Sequence, residues 1–306
     1  MAMATVGALL VASCGAAPRP SSSSPEATST GAAPAAREPT GADGLLIANG
    51  AELRITTAAG LVRFDGPSGP VVEVVAARGV VVAVDGDGRV ERSIPPPAGP
   101  RSWLAVPLEA GESSNSRLIA LSPDARTLAL AVGQMQARSF QLVLVDLTGG
   151  SRRALDVGRG LDGPPVWIGP STIAVHTIGP GQSAGFTEVD SDAGRVTDGP
   201  SIGFAIAASA SGDVVAFDQA STGDVLLGPR SDATAAGLAR LGRFRGPPDT
   251  VVERLALSAD GRRLAIVRRT AEGATIELLR ELDGTWRSGR TIVNRGERAV
   301  SVAWLE

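Results

Sequence analysis

The chain has 306 residues, is 43% apolar and carries a formal net charge of −3, enough length for one large domain with a substantial core. Every basic residue is arginine, and the weakly acidic balance argues against a nucleic-acid backbone as the main partner, since phosphate binding needs clustered positive charge. Aromatic residues are only 3% of the chain, too few for a platform on which sugars or bases would stack.

Residues 4–12 form a short apolar stretch that ends at Ser13-Cys14. A bilayer crossing needs about 20 apolar residues, so this stretch suits the core of an export signal instead. Val11-Ala12-Ser13-Cys14 resembles a bacterial lipobox. That resemblance implies cleavage after Ser13, lipid attachment at Cys14, and an exported protein anchored to the cell membrane. Cys14 is the only cysteine, which leaves no intrachain disulfide to account for it. Residues 14–43 are rich in Pro, Ser, Thr, Ala and Gly and cannot build a core. They read as a disordered tether with a reach of roughly 30 Å.

From residue 44 onward, short apolar runs centred on alanine recur at Ala48, Ala83, Ala129, Ala174, Ala216 and Ala265, at intervals of 35, 46, 45, 42 and 49 residues. All but the first are preceded across a tight turn by a second apolar run, at 72–76, 118–121, 166–168, 204–208 and 255–257. Runs this short, bounded by Gly and Pro and rich in Val and Ile, are strands rather than helices. They are nearly continuous in hydrophobicity, as expected when both sheet faces are covered. A strand repeat of this length predicts a six-bladed β-propeller over residues 44–306.

The first run lacks a preceding partner, and Val300-Ser301-Val302-Ala303-Trp304 at the far end matches Pro165-Val166-Trp167 of the fourth repeat. The final strand is therefore expected to close the ring as the innermost strand of the first blade. Third and outer strands are expected at 142–147 with 152–155, 225–227 with 238–241, and 276–282 with 286–293.

Leu121-Ser122-Pro123-Asp124-Ala125-Arg126-Thr127-Leu128-Ala129 and Leu257-Ser258-Ala259-Asp260-Gly261-Arg262-Arg263-Leu264-Ala265 resemble the repeat of TolB-like (WD40-like) bacterial propellers. The combination of lipobox, tether and propeller is also similar, in part, to the propeller half of LpqB-type lipoproteins. These resemblances imply the fold and say little about function.

Candidate chemistry is sparse. His176 is the only histidine, which excludes a multi-histidine zinc site. Asp85-Gly86-Asp87-Gly88 would need Glu at position 96 for a calcium loop and has Pro there; a type I′ hairpin turn at an Asp-Gly pair is expected instead. Gly160–Gly163 is not followed by the lysine of a phosphate loop. No metal and no cofactor is expected.

Two functional classes follow. The first is a non-catalytic binding or scaffold module for a protein or cell-envelope component. Its candidate face is Asn115, Arg117, Arg138, Asp162, Gln182, Glu253 and Arg268, taken from connectors and from loops between second and third strands. The alternative is a lactonase-like hydrolase with a metal held by acids at the channel mouth, where Glu73 is the one acid expected inside an inner strand. Residues 240–298 carry 13 Arg against 8 acids, either solvated outer strands or a basic patch that docks an acidic partner.

Overall fold

The computed structural model describes residues 44–306 apart from 68, 95–100, 110–117, 135–138, 158–159, 162, 179–183, 200–202, 204, 220–221, 233–234 and 296–299. Cys14 and the tether lie outside the described residues. The strands form six sheets, and their innermost strands touch in a closed cycle. Each inner strand contacts those of the two neighbouring blades, with blade six returning to blade one. The molecule is a six-bladed propeller.

Blade one combines Leu45–Ala48, Leu53–Thr57 and Gly60–Arg63 with Ser301–Trp304 as its inner strand. Antiparallel pairing sets Leu45 opposite Trp304 and Leu46 opposite Ala303, so the expected closure is present. Leu305 N–H donates to the Gly44 carbonyl at 2.8 Å and extends the seam by one more bond.

Six buried clusters fill the six gaps between neighbouring blades. In blade one, Leu45 and Ile47 pack towards blade six, while Leu46 and Ala48 pack towards blade two. Alternate residues of one strand thus serve opposite gaps, which is why the runs contain no polar alternation. Five of the repeated alanines face the next blade. Ala83 faces back towards blade one, and Val82, paired with Val75, holds the corresponding place in blade two.

The turns between inner and second strands follow their side chains. Ser122 Oγ and Asp124 Oδ1 lie 2.5 Å apart, and together they accept the N–H groups of Arg126 and Thr127. Ser258 and Asp260 repeat this geometry for Arg262 and Arg263. A third copy, Ser209 to Val214, uses Ser211 in the aspartate's place. Its glycine, Gly212, adopts φ 78° and leaves no room for a Cβ, which would fall 1.9 Å from the Ile168 carbonyl oxygen. Gly261 adopts φ 73°, whereas Ala125 is held at φ 62° in the same position.

Four expectations are corrected. The outer strand of blade five is Gly242–Phe244, not 238–241; residues Ala235–Leu238 form a short helix whose Leu238 is fully buried against Phe186 and Phe217. Residues 156–163, expected to link the outer strand of blade three to the fourth inner strand, are not only a connector, because Gly160–Leu161 pairs with Ile178 and Thr177. The Asp85–Gly88 segment is a hairpin turn, but Asp85 Oδ1 caps the N–H groups of Asp87 and Arg89, and only Gly88 has positive φ. The type I′ signature, two successive positive φ values, occurs instead at Arg78-Gly79 and Asp283-Gly284. Finally, Glu253 lies within the inner strand Val251–Leu257, so Glu73 is not the only acid there.

Candidate functional site

All six inner strands line one central cavity of about 670 Å³. Its wall includes Ala76, Ala120, Val166, Ala207, Ala256 and Ala303, one from each blade. Small side chains are required there because six strands converge on one axis. Among the described residues the wall between the two mouths is mainly apolar, with its polar side chains towards the strand ends.

One mouth is bordered by the turn residues Arg78, Asp124 and Ser211 and by Glu306, which follows the closing strand. Burial raises the Asp124 pKa, but the Ser122 hydroxyl, the Arg126 N–H and the Arg126 charge outweigh it, so the carboxyl sits below its usual range. Asp260 is lowered by the same balance of burial against Ser258 and Arg262. Glu306 accepts from the Ala259 N–H at 2.7 Å and pairs with Arg263, whose guanidinium lies over the Trp304 ring.

The other mouth holds a chain of ion pairs. Glu73, 5% exposed, accepts from the Ser301 hydroxyl at 2.6 Å and from Arg254 at 3.3 Å. Glu253 is paired with Arg269. A second opening of about 420 Å³ is bounded by Glu73, Glu253, Arg254, Arg269 and Ser301. Both acids at this mouth therefore have arginine partners. Among the described residues, no group of three His, Cys, Asp or Glu is gathered to hold a metal ion.

Of the sequence-derived face, Asn115, Arg117, Arg138, Asp162 and Gln182 lie outside the described residues. Glu253 stands at the mouth. Arg268 is not in a loop: it belongs to the strand Arg263–Thr270 and is 2% exposed. It donates to the carbonyl oxygens of Gly223 at 2.6 Å and Phe244 at 3.4 Å, with Glu277 3.8 Å away. Desolvation lowers its pKa, partly offset by Glu277 and Asp224. Its stem and head tie blade six to blade five. His176 is buried edge-on against Phe186, at 5.4 Å between ring centroids, as a core residue of blade four.

Sequence reasoning missed the partners of Glu73. Arg254 and Ser301 are 181 and 228 residues away from it, and only ring closure brings the three together.

The ring and its channel define the class: a six-bladed propeller with a central cavity. No family model matches the sequence, and no curated protein matches it. Solved structures do match in fold. TolB from Acinetobacter baumannii is similar at TM-score 0.61 and 15% identity, covering 85% of this chain and 66% of that one. A chain of a nidogen/laminin complex matches at TM-score 0.59 and 12% identity over 86% of this chain and 98% of that one. A putative TolB from Agrobacterium tumefaciens matches at TM-score 0.55 and 14% identity, over 86% and 98%. This chain thus spans just under two thirds of the Acinetobacter protein.

Proposed function

We infer that this protein is a non-catalytic binding module for a protein or cell-envelope component, exported and anchored by lipid at Cys14. The observation that carries this reading is the central cavity, walled largely by apolar side chains from every blade, with Glu73 and Glu253 at one mouth each ion-paired to an arginine. Recognition by shape and by rim charges suits such a wall better than bond chemistry does. The propeller of the nidogen/laminin complex and the TolB proteins support it at the level of fold. Residues 14–43 would hold the propeller away from the membrane.

The test is photo-cross-linking in intact cells, with the reactive residue at Arg78 in one set and at Arg254 in another. Adducts to a protein from one mouth are expected, together with loss of membrane association in Cys14→Ala. Absence of adducts from both mouths would remove the binding reading, and a membrane-bound Cys14→Ala would remove the anchor. The second reading is a metal-dependent hydrolase, favoured only by the placement of Glu73 and Glu253 at one mouth. A melting temperature insensitive to chelator and to added calcium or zinc rejects it.

A further inference from the structure

The outer strands of blades one to five are 4, 4, 5, 3 and 3 residues long, whereas that of blade six, Thr285–Arg295, has 11. It pairs on one side with Gly273–Leu282, and among the described residues no strand pairs with its other side. That edge is interrupted once, by a bulge where Gly289 and Arg290 oppose Leu278, and on either side of it offers main-chain donors and acceptors to an incoming extended chain.

Its charge is of one sign. The strand's sequence, Thr-Trp-Arg-Ser-Gly-Arg-Thr-Ile-Val-Asn-Arg, contains three arginines and no acid. Arg280 and Arg287 are direct cross-strand partners, and Arg263 is the partner of Arg280 on the next strand inward. Like charges placed directly opposite destabilise a sheet. Three nearby acids are committed elsewhere: Glu277 faces Arg268, Glu281 pairs with Arg262, and Glu306 pairs with Arg263, while Asp283 stands in the hairpin turn beyond the strand ends. Arg280, Arg287 and Arg290 are exposed, and none of them is ion-paired within the described residues. Val293, 60% exposed, adds an apolar contact farther along the strand. A single charge would suffice to keep such an edge from aggregating. An arginine row that costs the sheet repulsion is a stronger feature than protection requires.

We propose, resting on the protein-binding reading above, that the outer edge of blade six takes up an acidic, extended segment of a partner protein as a fifth strand. Main-chain hydrogen bonds would supply affinity, and Arg280, Arg287 and Arg290 would select carboxylates. The rim lies apart from the channel, so the two sites are separable by mutation.

The probe is a labelled peptide of about eight residues alternating aspartate and valine, followed by fluorescence anisotropy with residues 44–306. Its comparators are the same peptide with arginine for aspartate, and one N-methylated at alternate amides. One-to-one binding of the acidic peptide is expected, weakening about tenfold between roughly 50 and 500 mM NaCl as charge is screened. Arg280→Gln/Arg287→Gln should weaken binding about tenfold while raising the melting temperature, because the repulsion is relieved. Opposite signs in the two readouts distinguish this from misfolding. Equal binding of the N-methylated or the basic peptide overturns the proposal, as does no peptide binding at all. Binding only to phosphatidylglycerol vesicles, or self-association through this edge, also overturns it. Loss of this site with cross-links persisting at the channel mouths would leave the binding reading intact.

Discussion

The indole N–H of Trp304 donates to the main-chain carbonyl of Ala256, 3.0 Å away on the inner strand of the preceding blade. Trp167 makes the same bond to Ala120 at 3.4 Å. Both tryptophans end an inner strand, and both stitch it to the blade before. The bond at Trp304 therefore locks the joint at which the ring closes.

Trp304→Phe keeps most of the ring's packing but leaves the Ala256 carbonyl without this donor. It should lower stability by about 1–2 kcal/mol, read by urea unfolding. Trp304→Ala also opens a cavity under Arg263 and should cost about 3–5 kcal/mol. Equal stability of Trp304→Phe and wild type would show that the closing bond carries no weight.

Glu73 is the hub of the mouth, an acid of blade two that meets Arg254 of blade six and Ser301 of the closing strand. Glu73→Ala removes one partner of a buried pair and should destabilise by about 2–4 kcal/mol. A double-mutant cycle of Glu73→Gln with Arg254→Gln should return a coupling of about 1 kcal/mol. A coupling near zero would mean that the pair is incidental.

Ala125 occupies a left-handed position that Gly212 and Gly261 fill in the equivalent turns. A non-glycine residue there costs about 1–2 kcal/mol, partly offset by the greater chain entropy of glycine. Ala125→Gly should therefore raise stability by about 0.5–1 kcal/mol. Gly212→Ala should act in the opposite direction and more strongly, since its Cβ would meet a backbone carbonyl. Differential scanning of the two variants checks both signs.

The carboxyls of Asp124 and Asp260 have folded pKa values below their ordinary value. Depressed acids contribute stability that is present above the unfolded pKa, about 4, and lost as pH falls through the folded value. The melting temperature should therefore drop as pH is lowered below about 4. Asp124→Asn/Asp260→Asn keeps the acceptor oxygens but removes the ionisation, so its acid limb should be shallower. Parallel curves for variant and wild type would contradict this.

What could be read from the chain was set by repetition. The alanine runs and the match between Trp304 and Trp167 revealed blade number and closure, because every inter-blade gap imposes the same packing problem. Ala83 misled, since Val82 fills the matching place and the two valines flanking Ala83 make the register invisible to composition. The turn at Ser211-Gly212 is legible as a turn, but not as a third copy of the serine motif, because Ser211 replaces the aspartate while making an equivalent bond. Leu238 was assigned to a strand because its apolar neighbours fit one, whereas the gap between blades four and five is filled from a helix. At the mouth, Glu73 was identifiable as an unusual acid on an apolar strand. Its partners were not, because long-range pairing leaves no local pattern. Arg268 was misplaced for a related reason: nothing nearby in sequence shows that carbonyls of Gly223 and Phe244 await it.

Because Ser301–Trp304 supplies the strand that Leu45–Ala48 needs on its inner side, blade one is held open until the far side of the ring has been made. During synthesis the flank of Leu45–Ala48 stays raw while blades two to six assemble vectorially. A chain cut short before Ser301 would be left as an open crescent, sticky along that flank and prone to capture by another unfinished copy.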